Sequence, residues 1–530
     1  MPRRFVFWPA SVAICLSFTF PLPVLAKDEL VLAIGGEPDQ GYDPLLGWGQ
    51  YGHPLFQSTL LVRRADLSSK PDLATAWSLS DDRLTWTLEL RDDVRFSDGS
   101  PLTATDVAFT FNQAAKAGGR ADLSVLQHAR ALDDRHVRLT LKEPRITFVE
   151  SFYTLGIVPA AGRDNGYHDS YGRQPLGSGP YQLVEWQEGE QLIVERNPYF
   201  HGPTPAFERL VFLFTGEDTT LAAANAGRLD VAAVPPALAG QPPTGMYPLE
   251  METVDNRGIL FPMHPDDGER RGTGAPIGND VTADPAIRHA INLALDREML
   301  VEVALHGHGR PAYGPADGLP WSNPEDQIED ANPEAAIALL EDADWRLGDN
   351  GLRHKNGQTA RFRLTYPASD STRQMLAEVV AAMLTPLGIE AQPTGRHWDE
   401  IEREALHRDA ILFGWGSHSP QEIYYLYHSQ HAGQAFYNAG DYANATVDDY
   451  LDAAQQAASF EDSLSLWQKA QWDGETGYGM RGDAAWAWLV NLEHVYYVDE
   501  CLDLGELPIA PHGHGWPLTA SLLDWQWECD

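Results

Sequence analysis

Histidines and aromatic residues recur in this chain at spacings that invite chemistry. His306-Gly307-His308 and His512-Gly513-His514 both have H-x-H spacing. On an extended segment that spacing puts two imidazoles on one side, which falls short of a metal site without third and fourth ligands. Trp48, Tyr51 and His53 crowd among glycines in GWGQYGHPLF, and exposed aromatic rings on a Gly-rich loop suit stacking on a ligand. Ser178 lies between two glycines in PLGSGPYQLVEW, but the spacing is not G-x-S-x-G and no strand-elbow-helix surrounds it. A hinge or turn is the better reading. His407-Arg408-Asp409 imitates a kinase triplet without the Gly-rich phosphate loop that would accompany it. No HExxH, CxxC, P-loop or EF-hand spacing occurs.

The elements that would position such residues alternate between strands and helices. Leu84, Trp86, Leu88 and Leu90 alternate with polar residues, the pattern of a strand with one buried face. Val94 and Phe96 read as a second short strand, ended by the turn residues Ser97-Asp98-Gly99. Thr103 followed by Asp106 resembles a capping box, Val107 and Phe111 start an apolar helix stripe, and Gly118-Gly119 stops it. Glu29–Ile34 and His136–Leu141 read as strands. Asp284-Pro285 is a cap-and-first-residue pair for the helix IRHAINLALDRE, with Ile287, Ile291 and Leu295 on one face. Asn350-Gly351 and Asn356-Gly357 are hairpin turns. Strands alternating with helices in both halves indicate α/β lobes.

Length and charge narrow the class further. A chain of 530 residues is too long for one core. An apolar fraction of 43%, with 16 Trp, 19 Tyr and 19 Phe, excludes disorder. The net charge of −38, from 76 acidic against 38 basic residues, argues against a nucleic-acid partner. A solvated acidic surface is the plain reading of that excess. Accidental carboxylate pairs are inevitable in such a composition, so they carry little weight for a secreted hydrolase. Residues 1–26 read as a cleaved export signal: Arg3 and Arg4, an apolar run from Phe5 to Phe20, then Val24-Leu25-Ala26. Cys15 follows bulky Ile14 within that run, which does not suit a lipoprotein signal. Cys501 and Cys529 remain in an oxidising compartment, where a disulfide would tie the C-terminal tail.

The string PDLATAWSLSDDRLTWTLELRDDVRFSDGSPLTATDVAFTFN, Pro71 to Asn112, resembles the signature of family 5 extracytoplasmic solute-binding proteins, the peptide- and nickel-binding components of ABC importers. Later blocks match in order: PLGSGPY, ERNPYFHG, AGRLDVAAV and IRHAINLALDRE. The resemblance implies a two-lobed α/β periplasmic-binding-protein fold of type II with an extra small subdomain in the first lobe. It implies 27–70, 175–265 and 495–530 as lobe I, 71–174 as the small subdomain and 266–494 as lobe II. It further implies a periplasmic, non-enzymatic protein that captures a small-molecule or peptide ligand and passes it to a membrane permease with its ATPase. A secreted hydrolase of peptides or glycosides, or a peptide-binding chaperone or receptor on the same fold, is the alternative.

The resemblance also points to site residues. Arg257 falls where the backbone returns through the cleft, and a guanidinium can hold a carboxylate. GWGSHSPQEIYYLYHSQH, Gly414 to His431, is the loop expected to contact ligand through Trp415, His418 and Tyr424. Peptide-binding members often carry an acid three positions after this Trp, where this chain has His418. An imidazole there ligates a borderline metal or donates to an anion. Nickel-binding members carry a metal-ligating His about a dozen residues past the loop's Pro, near His428 and His431 here. No cofactor is expected, but nickel or another transition-metal chelate is a possible ligand.

Overall fold

The computed structural model describes residues 27–529 apart from 39, 52–54, 65, 118–120, 162–169, 435 and 513–515. The proposed signal at 1–26, the helix stop at Gly118-Gly119, His53 and His514 therefore lie outside the described residues.

Among the described residues, three sheets organise the chain. Glu29–Ala33 lies inside a seven-stranded sheet, parallel to Arg209–Leu213 on one side and Val231–Val234 on the other. Its Leu30 and Leu32 are fully buried, as expected of an apolar run covered on both faces. The hairpin Tyr181–Gln187 with Gln191–Arg196 extends one edge, and His494–Asp499 with Met246–Met251 extends the other. Between two parts of this lobe the glycines of PLGSGPY bring the chain against Phe56. A Cβ on Gly177 would stand 1.9 Å from the Phe56 carbonyl oxygen, so only glycine fits.

A four-stranded antiparallel sheet forms a smaller body in the order Ala74–Leu79, Thr85–Leu90, His136–Leu141, Leu126–Ala131. Trp86, Leu88 and Leu90 are buried as their alternation predicts, and helix Ala104–Ala117 covers them with Val107 and Phe111. The capping box forms: the Thr103 amide donates to Asp106 Oδ2 at 2.8 Å. Val94 and Phe96 depart from expectation. They make no strand, since the Asp98-Gly99 turn folds the chain back after one bridge, Arg95 to Pro101.

The third sheet has six strands, in the order Gly309–Pro311, Trp486–Leu492, Asn256–Leu260, Ala410–Phe413, Arg361–Pro367, Glu390–Arg396. Asn256–Leu260 pairs with Trp486–Leu492 and Ala410–Phe413, so these residues belong to the second lobe, not to lobe I as far as 265. The physical reason is local. Gly258 lets Trp486 and Trp488 pack directly on the strand, where a Cβ would meet Trp488 at 2.7 Å. IRHAINLALDRE is also two helices rather than one. Asp296 caps Arg297–Ala304 through the Met299 amide at 2.9 Å, breaking the run after Pro285–Ala294. Both Asn-Gly pairs turn hairpins in Arg346–Thr359, with Asn356 and Gly357 at φ 50° and 84°.

The chain crosses between the large sheets near Thr253–Asp255 and again near Glu493. The crossings are tied together: Leu492 donates to the Asp255 carbonyl at 2.7 Å, and Thr253 Oγ1 to the Leu492 carbonyl at 2.6 Å. The tail joins them, with Val254 donating to the Ala510 carbonyl at 2.9 Å. Cys501 and Cys529 form a disulfide that anchors this tail.

A cleft between the lobes

The loop Gly414–Pro420 lies against the first crossing segment. Trp415 donates its amide to Asn256 Oδ1 at 3.0 Å and accepts from the Asn256 amide at 2.8 Å. Gly416 follows at φ 156°, and a Cβ there would stand 2.6 Å from the Val254 carbonyl oxygen. The loop is thus sewn to the crossing segment before it delivers helix Gln421–Tyr427, whose Ile423, Leu426 and Tyr427 enter the core of lobe II.

This loop and helix form one wall of a cleft of about 510 Å³. Trp415, Ser417, His418, Gln421, Glu422 and Tyr425 line it from lobe II. The small body supplies Asp122, Arg145, Thr147 and Glu150; lobe I supplies Tyr51, Gln57 and Thr59; the disulfide-anchored tail supplies Ile509 and Pro511. Trp415, Tyr437 and Tyr425 make a stacked aromatic face, with successive ring centroids 5.5 and 4.5 Å apart.

Direct contacts cross the cleft. Thr147 Oγ1 donates to Gln455 Oε1 at 2.7 Å and reaches Gln421, while Gln421 Nε2 donates to Asp122 at 3.1 Å. Arg145 pairs with Asp122 at 2.7 Å and stands over the Tyr424 ring at 5.6 Å. Arg83, at the tip of the Ala74–Leu90 hairpin, donates to the Gln456 and Ala457 carbonyls at 2.6 and 2.7 Å. A cation at the end of helix Ala445–Gln455 complements the helix dipole.

The carboxyls in the cleft differ in their surroundings. Glu150 is pushed up by burial, and its ion pair with Arg63 opposes the rise. Glu422 is pushed up to about 8, first by desolvation and then by the Asp255 charge, against the amide of Gly416 donating at 3.2 Å. Among the described residues no cation acts on it, and it is half-buried where it lines the cleft.

The expected site residues divide. Tyr51, Trp415 and His418 line the cleft. Trp48 does not: only 7% exposed, it packs in the lobe I core with Tyr42 and Trp516 at 4.9 and 5.3 Å. Arg257 is equally removed. It is ion-paired with Asp255 at the crossing, where Asp255 also holds His494 at 2.9 Å and His512 at 2.6 Å. That aspartate is held well below its ordinary range by Arg257 and His512, which overcome the cost of its burial. Tyr424 faces the back of its helix and donates to Asp452 at 2.8 Å, leaving Tyr425 toward the cleft. His428 Nδ1 accepts from the Gln430 amide at 3.1 Å, and the His428 and His431 rings are 6.3 Å apart. Among the described residues no group of three or more His, Cys, Asp or Glu is placed to hold a metal ion. His308 pairs with Glu250 at 3.0 Å, away from the cleft.

Sequence reasoning missed Arg145, Asp122, Gln421 and Glu422. For Gln421 and Glu422 a signal existed: they open the helix that the predicted loop delivers. For Arg145 and Asp122 none did, since their approach depends on how the small body docks.

Known proteins share this architecture. The profile of the family described as "Bacterial extracellular solute-binding proteins, family 5 Middle" matches residues 69–437. The chain is 34% identical over 493 residues to Protein XP55 of Streptomyces lividans, covering 90% of this chain and 86% of that one. The structure of NikZ from Campylobacter jejuni in complex with Ni(L-His) superposes with a TM-score of 0.81 at 22% identity, over 94% of this chain and 99% of the other. AppA of Bacillus subtilis in complex with a nonapeptide superposes with a TM-score of 0.75 at 20% identity, over 95% and 99%.

Proposed function

Because the chain belongs to the bacterial extracellular solute-binding proteins of family 5, we propose that its cleft closes on a small solute bearing a carboxylate and a cationic centre. The protein is the extracytoplasmic solute-binding component of an ABC importer and delivers its ligand to a membrane permease and ATPase. The family and the similar structures are binding proteins, which leaves a secreted hydrolase unfavoured. We read the chain as non-enzymatic, exported by cleavage after Ala26 and not lipidated. Among the described residues no helix is long and apolar enough to cross a membrane.

One observation carries the ligand reading. The cleft wall unites an acid and an aromatic face from lobe II with Arg145 and Arg63 from the other side. At about 510 Å³ it lies within the range of small-molecule sites and suits a short peptide or an amino-acid metal chelate. In the short-peptide form the ammonium is the cationic centre; in the chelate form the metal is. Both forms meet opposite walls at once, so ligand contact favours the closed arrangement over the open one.

The test is calorimetric titration with L-alanyl-L-alanine and with the nickel–L-histidine chelate. Saturable one-to-one binding of either, with no product formed, supports the reading. Absence of binding of both removes this ligand class.

A further inference from the structure

Resting on the reading of the cleft as the solute site, we infer that His512 is a positioning residue. It ties the buried Asp255 of the crossing to the backbone of the cleft loop and so holds Trp415 and His418 where a solute meets them.

His512 belongs to one of the two H-x-H strings in the sequence. Ala510 bridges Thr253 in parallel register, so the tail runs beside the crossing segment and delivers His512 to it. There the residue is only 7% exposed. Its side chain meets Asp255, whose two oxygens take four donors. Oδ1 accepts from Arg257 Nη1 and, at 2.6 Å, from His512 Nδ1. Oδ2 accepts from His494 Nε2 at 2.9 Å and from Arg257 Nη2 at 3.4 Å. An ionised carboxylate only accepts, so each imidazole carries a proton on the nitrogen that faces it. One anion thereby pins the first crossing, the second crossing and the tail.

The main chain of His512 reaches the cleft loop: its N–H donates to the Gly416 carbonyl at 2.9 Å. Gly416 lies so close to the crossing that a Cβ there would stand 2.8 Å from the Asp255 Cα. Trp415 and Ser417 flank it and line the cleft, as do Pro511 and Tyr51. The Tyr51 ring is 5.8 Å from the His512 ring. A displacement of His512 therefore reaches the loop of lobe II, the tail and lobe I together.

The groups around the imidazole make this tie sensitive to acid. Asp255, Arg257 and His494 face it from the two crossings, Arg373 from helix Ser371–Leu384 and Tyr51 from lobe I. Beyond them Asp370 holds Arg373, and Glu422 and Tyr496 feel the Asp255 charge. Burial holds His512 below its ordinary value, and the two guanidiniums add to this against the pull of Asp255. The ring is therefore neutral at neutral pH. A second ring proton puts another positive charge beside a carboxylate that Arg257 already neutralises, which loosens the tie.

The test compares wild type with His512→Ala, His512→Asn and His512→Gln. The shorter amide of His512→Asn sets a donor near the place of Nδ1–H and does not titrate; that of His512→Gln reaches one bond farther. Melting temperature, measured first, reports folding. Hydrogen exchange by mass spectrometry reads residues 414–420, and calorimetry at pH 7.5 uses L-alanyl-L-alanine and the nickel–L-histidine chelate. His512→Ala and His512→Gln should exchange at least about threefold faster in that segment. They should also bind the probe that wild type binds about tenfold more weakly, whereas His512→Asn stays within about threefold of wild type in both readouts. From pH 7.5 to 5, with intrinsic exchange rates divided out, wild type should lose protection there at least about threefold, and His512→Asn less than about half as much. Where neither His512→Ala nor His512→Gln folds, the acid response of His512→Asn decides alone. Wild-type exchange in a folded His512→Ala or His512→Gln protein, no recovery in His512→Asn, or an equal acid response in wild type and His512→Asn overturns the inference and leaves the proposed function standing. Wild type binding neither probe removes the ligand class proposed above, while the exchange measurements still decide the role of His512.

Discussion

Thr147 and Gln455, on bodies more than 300 residues apart in sequence, share a buried hydrogen bond of 2.7 Å across the cleft. With Arg83 on the Gln456 and Ala457 carbonyls it makes a latch that holds the small body to lobe II. Losing one partner leaves a buried polar group unsatisfied, which costs about 1–3 kcal/mol. The double variant Thr147→Val, Arg83→Ala is expected to be more open, with a larger radius of gyration by small-angle scattering. Ligand affinity should fall about tenfold. Unchanged scattering and affinity would show that the latch contributes nothing to closure.

Trp415 and His418 line the cleft wall, Trp415 from a half-buried place at the margin of the lobe II core. Replacing either by Ala is expected to weaken ligand binding about tenfold or more while moving the melting temperature of the free protein little. Calorimetry and thermal unfolding on the same samples decide this. Unaltered affinity in both variants would take the loop out of the site.

The crossing segment carries the acid sensitivity of the fold. Asp255 is held low by Arg257 and His512, so its stabilising contribution is present above its unfolded value and lost as pH falls. His512 is held below its ordinary value mainly by burial, so protonation favours the unfolded chain as pH drops below about 6.5. Both effects have one sign. Melting temperature should decline from neutral pH toward pH 4, and Asp255→Asn should flatten that decline. The variant should also lose about 3 kcal/mol at pH 7, since it strands Arg257. A profile identical to wild type would remove Asp255 as the centre of the crossing.

The tail that supplies Ile509 and Pro511 to the cleft is anchored by Cys501–Cys529, 28 residues apart. Loop entropy assigns such a bridge about 3–4 kcal/mol. Cys501→Ser with Cys529→Ser should therefore lower the melting temperature and weaken ligand binding together. Lost stability with unaffected affinity would separate the tail from the site.

Much of the fold was legible because local patterns and tertiary needs agree. Trp86, Leu88 and Leu90 alternate and are buried; the Asn-Gly pairs turn; Asp284 caps. Legibility failed where a long-range contact overrode the pattern. Val94 and Phe96 look like a strand, but the turn after them folds back at once. Asn256–Leu260 looks like a continuation of lobe I, and only the tryptophans 230 residues later claim it for lobe II. The site shows the same limit. Trp415 and His418 were readable from their loop, whereas Trp48 is drawn inward by Tyr42 and Trp516, and Arg257 by Asp255. Arg145 reaches the cleft only through docking of the small body, which no local spacing encodes.

Native mass spectrometry of protein purified without dialysis tests the central claim most directly. It should show one small non-covalent solute per chain, recovered chemically intact on unfolding and missing from a Trp415→Ala, His418→Ala variant. The same adduct on both proteins, no adduct with any supplied peptide or chelate, or a recovered molecule altered by the protein would contradict it.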